Sequence, residues 1–339
     1  MKRIVIIGLI LPVFIFGQYA DIPEVVTKVA TSAGNWLKLE TDARAVGLGG
    51  AYVAMGAGVS GIPYNPSSVG FLEGQEAFFG QTNYLVGVQY STIAYGRQVT
   101  ASDYIGVHLF YLNSGPIGVT TEHYPNGTGE DYRVTSLAFR MTYARRLTDR
   151  LKVGGTLDWI RDDIYTTHFQ SVAFDIGSTF NTGIYGFQLG MSVTNFGPEV
   201  QYSGEGLEKT VTDTVSIDNR LSKLTQPFPL PLTFRLGIRN DIMGQHESFI
   251  TSETHRLTLV MDGTNPLDYV VTGNVGLEYA WHEEAFLRVG KHLGHDTAGM
   301  SFGGGVMSKI YGWKVSIDYA YVTYGILKNT SQMGIRVGF

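Results

Sequence analysis

Three observations on the 339-residue chain point to one architecture. Segments in which apolar and polar side chains alternate run long enough to cross a bilayer when tilted, which takes roughly 9–11 residues. Charged residues are only 16% of the chain while aromatic residues reach 12%, against roughly 25% charged in average globular domains. Nowhere past the leader is there a run of the roughly 20 apolar residues that a spanning helix needs. Together they predict an all-β fold: a transmembrane antiparallel β-barrel of about fourteen strands, with a short N-terminal helical hatch inside the lumen.

The first element is a leader. Residues 1–20 carry Lys2 and Arg3, then an apolar run from Ile4 to Phe16 broken by Pro12, then small or polar residues up to Ala20. This is the layout of a cleavable signal peptide, which implies export; combined with the barrel expectation, it places the chain in the outer membrane of a diderm bacterium. The chain has no cysteine, so disulfides, thiolate metal sites and a lipidated cysteine are excluded. A net charge of −5 argues against nucleic acid, whose binding relies on clustered Lys and Arg.

Residues 21–74 form the second element. Their texture is small-residue rather than alternating, and they predict a helix from about Asp42 to Met55, with Asp42 as N-cap, followed by a turn at Pro63 to Pro66. Small residues let backbones approach closely, as a plug in a narrow barrel requires. The third element is the barrel, residues 75–339, with strands expected near 76–85, 88–99, 103–113, 136–147, 151–166, 168–181, 185–197, 230–242, 255–265, 269–282, 284–293, 297–310, 313–326 and 329–339.

The fourth of these sets Leu137, Phe139, Met141 and Tyr143 against Ala138, Arg140, Thr142 and Ala144. Period-two alternation puts these sets on opposite faces. Aromatics gather toward segment ends, at Tyr95, Tyr111, Tyr143, Trp159, Tyr279 with Trp281, and Tyr321 with Tyr324, as interfacial girdles do. The other face carries Arg140, Asp158, Asp175, Arg235 and Glu278, charges that suit a polar lumen better than a protein core. Tight turns such as Thr148–Arg150 contrast with long insertions at 116–133, 197–229 and 243–254. By parity the first two share one side. The last falls on the other, so either a strand is miscounted or one long loop lies on the periplasmic side. The closing strand brings Met333, Ile335, Val337 and Phe339 onto one face, and Phe339 resembles the terminal signal read by barrel-assembly machinery.

Asp42-Ala43-Arg44-Ala45, then Gly47-Leu48-Gly49-Gly50-Ala51-Tyr52-Val53-Ala54, then Tyr64-Asn65-Pro66 before Val69-Gly70-Phe71-Leu72, resemble the PorV/PorQ family, a branch of the FadL-like outer-membrane barrels. Leu48 and Ser67 stand where that pattern usually has Met and Ala. The resemblance implies a fourteen-stranded barrel with this segment as internal hatch, in which Arg44, Gly47, Gly49, Gly50, Tyr52, Asn65 and Pro66 are structural or line a ligand path. A lumenal Arg44 should find a carboxylate such as Asp158, Asp175 or Glu278, and Asn65 should cap the turn that follows it.

Catalytic readings are weaker. Gly47-Leu48-Gly49-Gly50 does not complete a dinucleotide loop, and no nucleophile elbow is present. His282, Glu283, Glu284, His292 and His295 read as solvated residues rather than a metal set. The expectation is a non-enzymatic barrel without cofactor or metal, whose partners are the bilayer, the assembly machinery and a cargo. The resemblance implies first the binding or shuttling of exported proteins at the cell surface, in the manner of type IX secretion accessories. The alternative is FadL-like passive transport of hydrophobic small molecules, with Ile217, Leu221, Leu224, Phe228 and Leu230 forming a greasy groove at the mouth. A closed structural or adhesive barrel is the third possibility.

Overall fold

The computed structural model describes residue 29 and residues 31–339, except 214–215, 224, 246 and 296. The expected leader lies outside the described residues. Fourteen antiparallel strands close on themselves: β1 (Gln75–Asn83), β2 (Gln89–Gln98), β3 (Asp103–Asn113), β4 (Val134–Arg146), β5 (Leu151–Ile164), β6 (Thr167–Asn181), β7 (Gln188–Phe196), β8 (Thr233–Gly244), β9 (His255–Pro266), β10 (Thr272–Trp281), β11 (Ala285–Leu293), β12 (Met300–Ile310), β13 (Trp313–Thr323) and β14 (Asn329–Gly338). Each pairs with its sequence neighbours, and β1 pairs with β14 from Glu76↔Gly338 to Asn83↔Ser331, so no edge is left. The Gln75 and Phe339 backbones exchange two hydrogen bonds of 2.9 Å at the seam.

The wall is inverted relative to a soluble protein. Phe139, Met141 and Tyr143 point outward on β4 and Leu157 and Trp159 on β5, while Ala138, Arg140, Thr142, Thr156 and Asp158 between them are buried. The same holds on β10 and β13, where Tyr279, Ile317 and Tyr319 face out and Glu278 and Asp318 face in. A continuous outward apolar belt of this size is not tolerated in water, whereas in a bilayer it is the stable arrangement. No helix of the described residues is long and apolar enough to cross a membrane. The sequence places the girdle aromatics correctly except Tyr324, which turns into the lumen beside Tyr84. It follows the last residue of β13, where the alternation has already ended.

The long connections resolve as one loop on the unexpected side, with the strand count intact. Those after β3 and β7 lie at one end, here the loop end, each carrying a short hairpin: Ile117–Gly118 with Asp131–Tyr132, and Glu208–Asp213 with Ser216–Ser222. The connection after β8 lies at the opposite turn end, the end at which β14 also finishes, where Ile250–Thr251 adds to the end of β8.

Residues 31–74 occupy the lumen, and their helical content is smaller than the sequence suggests. The predicted Asp42–Met55 helix is helical only over Ala43–Gly47. Asp42 does cap it, accepting from the Arg44 N–H at 2.9 Å. It stops because Gly49 and Gly50 take φ of 66° and 78°, a left-handed pair that glycine adopts at no steric cost. Short 3₁₀ turns follow at Val59–Gly61 and Pro66–Phe71, the latter capped by Asn65, whose carbonyl oxygen accepts from the Ser67 N–H at 3.1 Å.

The hatch sits against the wall where the wall has no side chains. A Cβ on Gly290 of β11 would lie 2.1 Å from the Gly49 nitrogen and 2.1 Å from the Leu48 carbonyl carbon. One on Gly190 of β7 would lie 2.4 Å from the Val53 oxygen, and one on Gly154 of β5 2.5 Å from the Pro66 carbonyl carbon. These are inward positions, so glycine here makes room for another backbone.

Candidate functional site

Two features of the lumen could carry function: the polar clamps that hold the hatch, and a chamber between the hatch and the loop end. The clamps begin with Glu278, fully buried on β10. It accepts from Arg44 Nε at 2.9 Å and Nη2 at 2.8 Å, from Arg256 Nη2 at 2.9 Å and from Arg288 Nε at 2.6 Å. Arg288 also donates to Asp318 at 2.6 Å, and Arg256 to Glu283. Of the three carboxylates that the sequence offers to Arg44, Glu278 is the one it meets. A second clamp joins Arg336 of β14 to Asp42 at 3.0 Å and to Ser60 at 2.7 Å.

Hydrogen bonds finish the attachment. Asp262 of β9 accepts the Tyr52 and Val53 N–H groups at 2.6 and 2.8 Å. The Tyr52 hydroxyl donates to Asp42 at 3.0 Å, and burial, with Asp42 beside it, pushes its pKa up to about 12. Asn65 donates to the Val53 and Ser178 carbonyls at 3.0 and 2.9 Å. Gly47 meets Gly303 on β12, and Pro66 packs over Gly154 and Gly177. Arg44, Gly47, Gly49, Tyr52, Asn65 and Pro66 are thus engaged with the wall or with the hatch itself, while Gly50 reaches the chamber.

The chamber has a volume of about 460 Å³. Val46, Gly50 and Tyr64 of the hatch line its floor, Asn35, Lys38 and Glu40 one side, and β1, β2, β8, β9, β10, β11, β13 and β14 with their loop-end connections the remainder. Tyr84, Tyr90 and Tyr324 group on one wall, with ring centres 5.9 Å apart for Tyr84 and Tyr90 and 6.2 Å for Tyr84 and Tyr324. The Tyr90 hydroxyl donates to the Glu40 carbonyl at 2.7 Å, and the Thr41 N–H donates to the Tyr64 hydroxyl at 2.9 Å.

The segment leading into the hatch, a 3₁₀ turn over Asn35–Lys38, is tied to the loop end through Asp268, which accepts from Lys38 at 2.8 and 2.9 Å and makes a short hydrogen bond with Ser32. Burial alone would raise the Asp268 carboxyl, yet Lys38 and Ser32 together hold it below its ordinary value of 3.8. A lowered pKa stabilises the closed arrangement fully above that value, and the contribution is lost as pH falls through the folded-state pKa. Trp36, stacked on Phe110 at 5.4 Å, reports on this directly. With the outward-facing Trp159, Trp281 and Trp313 replaced by Phe, its emission should shift on acidification below pH 3.8. Asp268→Asn should show the shifted spectrum already at neutral pH. An unshifted Asp268→Asn spectrum would mean that the ion pair does not hold the segment.

Of the expected mouth groove, Leu224 and the side chains of Ile217 and Leu221 lie outside the described residues. Phe228 and Leu230 pack inward with Leu37, Tyr90, Phe110, Ile160 and Phe169. His282–Glu284 and the His292/His295 pair stand at opposite ends of β11. Sequence reasoning missed Lys38, Glu40, Tyr84 and Tyr90, because none lies in the hatch motif, and it read Tyr64 only as part of that motif. The inward-phase glycines, by contrast, were a readable signal of a filled lumen.

No protein-family model matches the sequence, and no curated protein matches it. Solved structures do. The toluene transporter TodX of Pseudomonas putida superposes with a TM-score of 0.55 at 12% identity, covering 88% of this chain and 97% of that one. The toluene transporter TbuX of Ralstonia pickettii gives 0.53 at 13% identity, covering 88% and 98%. A Pseudomonas aeruginosa FadL homologue gives 0.51 at 10% identity, covering 88% and 96%. The fold is that of the FadL-like outer-membrane barrels.

Proposed function

We propose that this chain is a passive outer-membrane channel that takes up small molecules with a hydrophobic body at the loop end and passes them inward beside the hatch. The observation that carries the reading is the chamber: a cavity with aromatic walls in a FadL-like barrel, floored by a hatch that runs on into β1 and is otherwise held against the wall by polar clamps and close backbone contacts. Burying an apolar body against Tyr64, Tyr84, Tyr90 and Tyr324 is favourable by about 25 cal/mol for each Å² removed from water. The outward apolar belt supports a place in a bilayer. The neighbours' substrates supply the class of molecule, and no residue here performs covalent chemistry on it.

A disulfide tests the route. The Ser67 and Thr179 hydroxyls, one on the hatch and one on β6, stand 2.7 Å apart, and the chain has no cysteine to interfere. Cells carrying the protein should accumulate labelled ethylbenzene faster than cells without it. The Ser67→Cys/Thr179→Cys double variant should fall to the background rate when oxidised and recover on reduction. Undiminished uptake by the oxidised variant would remove the hatch from the path. Equal uptake with and without the wild-type protein, for ethylbenzene and for labelled phenylalanine alike, would remove the transport reading altogether.

The protein-shuttling reading rests on the hatch motif of residues 42–72. Its side chains and backbone turn to the barrel wall at Glu278, Asp262, Gly290 and Thr179, a packing role that explains the motif without invoking a protein cargo.

A further inference from the structure

The chamber holds two opposite charges that are not paired with each other. Arg235 of β8 reaches into it with one described hydrogen bond, from Nη1 to the Thr194 hydroxyl at 2.8 Å; Asp175, Asp262 and Glu40 are near enough to act on its charge, but none forms a direct ion pair with it among the described residues. Glu40 lines the same space with its side chain 23% exposed; His292 Nε2 stands 3.8 Å away, and Arg235 acts on it from beyond direct contact. Its carboxylate accepts no hydrogen bond among the described residues. Most other lumenal cations differ: Arg44, Arg256, Arg288, Arg336 and Lys38 have carboxylate partners at 2.6–3.0 Å, and Arg140 has Asp158 at 3.7 Å. Leaving a guanidinium and a carboxylate poorly satisfied in a recess is costly unless a ligand completes them.

We propose that the chamber selects small zwitterions: molecules with an apolar or aromatic body that carry both an ammonium group, received by Glu40, and an acidic oxygen group, received by Arg235. The tyrosines deepen the cationic half of this site, because ring faces attract an ammonium group, and Tyr84, Tyr90 and Tyr324 stand on the same chamber wall. A plain hydrocarbon would leave both charges unmet. An acid or an amine alone would leave one. The inference rests on the transport reading above and names its substrate class. It adds that the head group, not the body, decides what binds.

Four probes share one phenyl body and differ in their charges: phenylalanine, 3-phenylpropionate, phenethylamine and ethylbenzene. Binding is measured on the full barrel in lipid nanodiscs, with empty nanodiscs subtracting partition into lipid. Phenylalanine should bind at least about tenfold more tightly than each of the others, the gain expected of a hydrogen bond to a charged group. Arg235→Gln should reduce phenylalanine to the level of phenethylamine and leave phenethylamine unchanged. Glu40→Gln should reduce it to the level of 3-phenylpropionate, and Arg235→Lys should restore part of the preference. Unchanged thermal unfolding would show that the variants fold. Ethylbenzene binding as tightly as phenylalanine, or a phenylalanine preference that survives both neutral variants, overturns the inference and leaves transport standing. Failure of all four probes to bind overturns both.

Discussion

Replacing Glu278 by Gln is expected to destabilise the barrel by about 3–5 kcal/mol, the cost of removing one partner from a buried ion pair. Arg44, Arg256 and Arg288 all donate to this carboxylate, and an amide oxygen can accept from them but cannot balance their charge. Glu283→Gln provides the comparison, since Glu283 pairs with the same Arg256 but is 46% exposed. Water and salt screen that pair, and its loss should cost under about 1 kcal/mol. Urea unfolding of the refolded barrel in lipid reads both. If the two variants unfold at the same urea concentration, the cluster contributes no more than a surface pair and the hatch is held by packing alone.

Gly290→Val should dislodge the hatch while leaving the strands paired. The new Cβ would meet the Gly49 nitrogen and the Leu48 carbonyl, and backbone cannot rotate out of the way as a side chain would. Neighbouring β10 blocks the retreat, since a Cβ on Gly276 would already lie 2.5 Å from the Leu48 oxygen. Overpacking of this kind costs about 1–3 kcal/mol, and the hatch can escape it by leaving its seat. The expected readouts are cleavage of the hatch by added protease and ion conductance across a planar bilayer, both absent in the wild type. Gly263→Ala, where nothing stands within 4 Å of the new Cβ, should do neither. A protected and non-conducting Gly290→Val barrel would contradict the close approach on which the hatch seat depends.

The disagreements between pattern and structure share a cause. Strand periodicity is enforced at every residue by the pleat, so Leu137, Phe139, Met141 and Tyr143 announce their face without knowledge of any neighbour. The hatch has no such periodicity. Its expected helix ends after Gly47 because the backbone must turn under β11, and Gly49 has to be glycine because its φ is 66° and a Cβ there would lie 2.5 Å from the Lys291 nitrogen of that strand. Tyr324 is expected in a girdle because it lies three residues beyond the outward-phase Tyr321, but the chain has already turned inward there.

Arg44 shows the boundary within a single residue. That a buried arginine needs a carboxylate follows from charge and desolvation, and three inward carboxylates were visible in the alternation. Which of them it meets depends on how far around the barrel residue 44 is carried, and that is set by contacts hundreds of residues apart. The same holds for the chamber, where Glu40 and Arg235 are 195 positions apart in the chain and meet only because the barrel closes.

By itself the amino-acid order determined that strands, not helices, build this protein, how many there are, which side of each is greasy, and that the region before them is something other than wall. Tertiary structure alone decided where the plug turns, which charges clasp one another and which stand open to a guest. The physical reason is range: pleat and hydropathy act between adjacent residues, whereas ion pairing and steric fit inside a closed cylinder act between residues that only closure brings together.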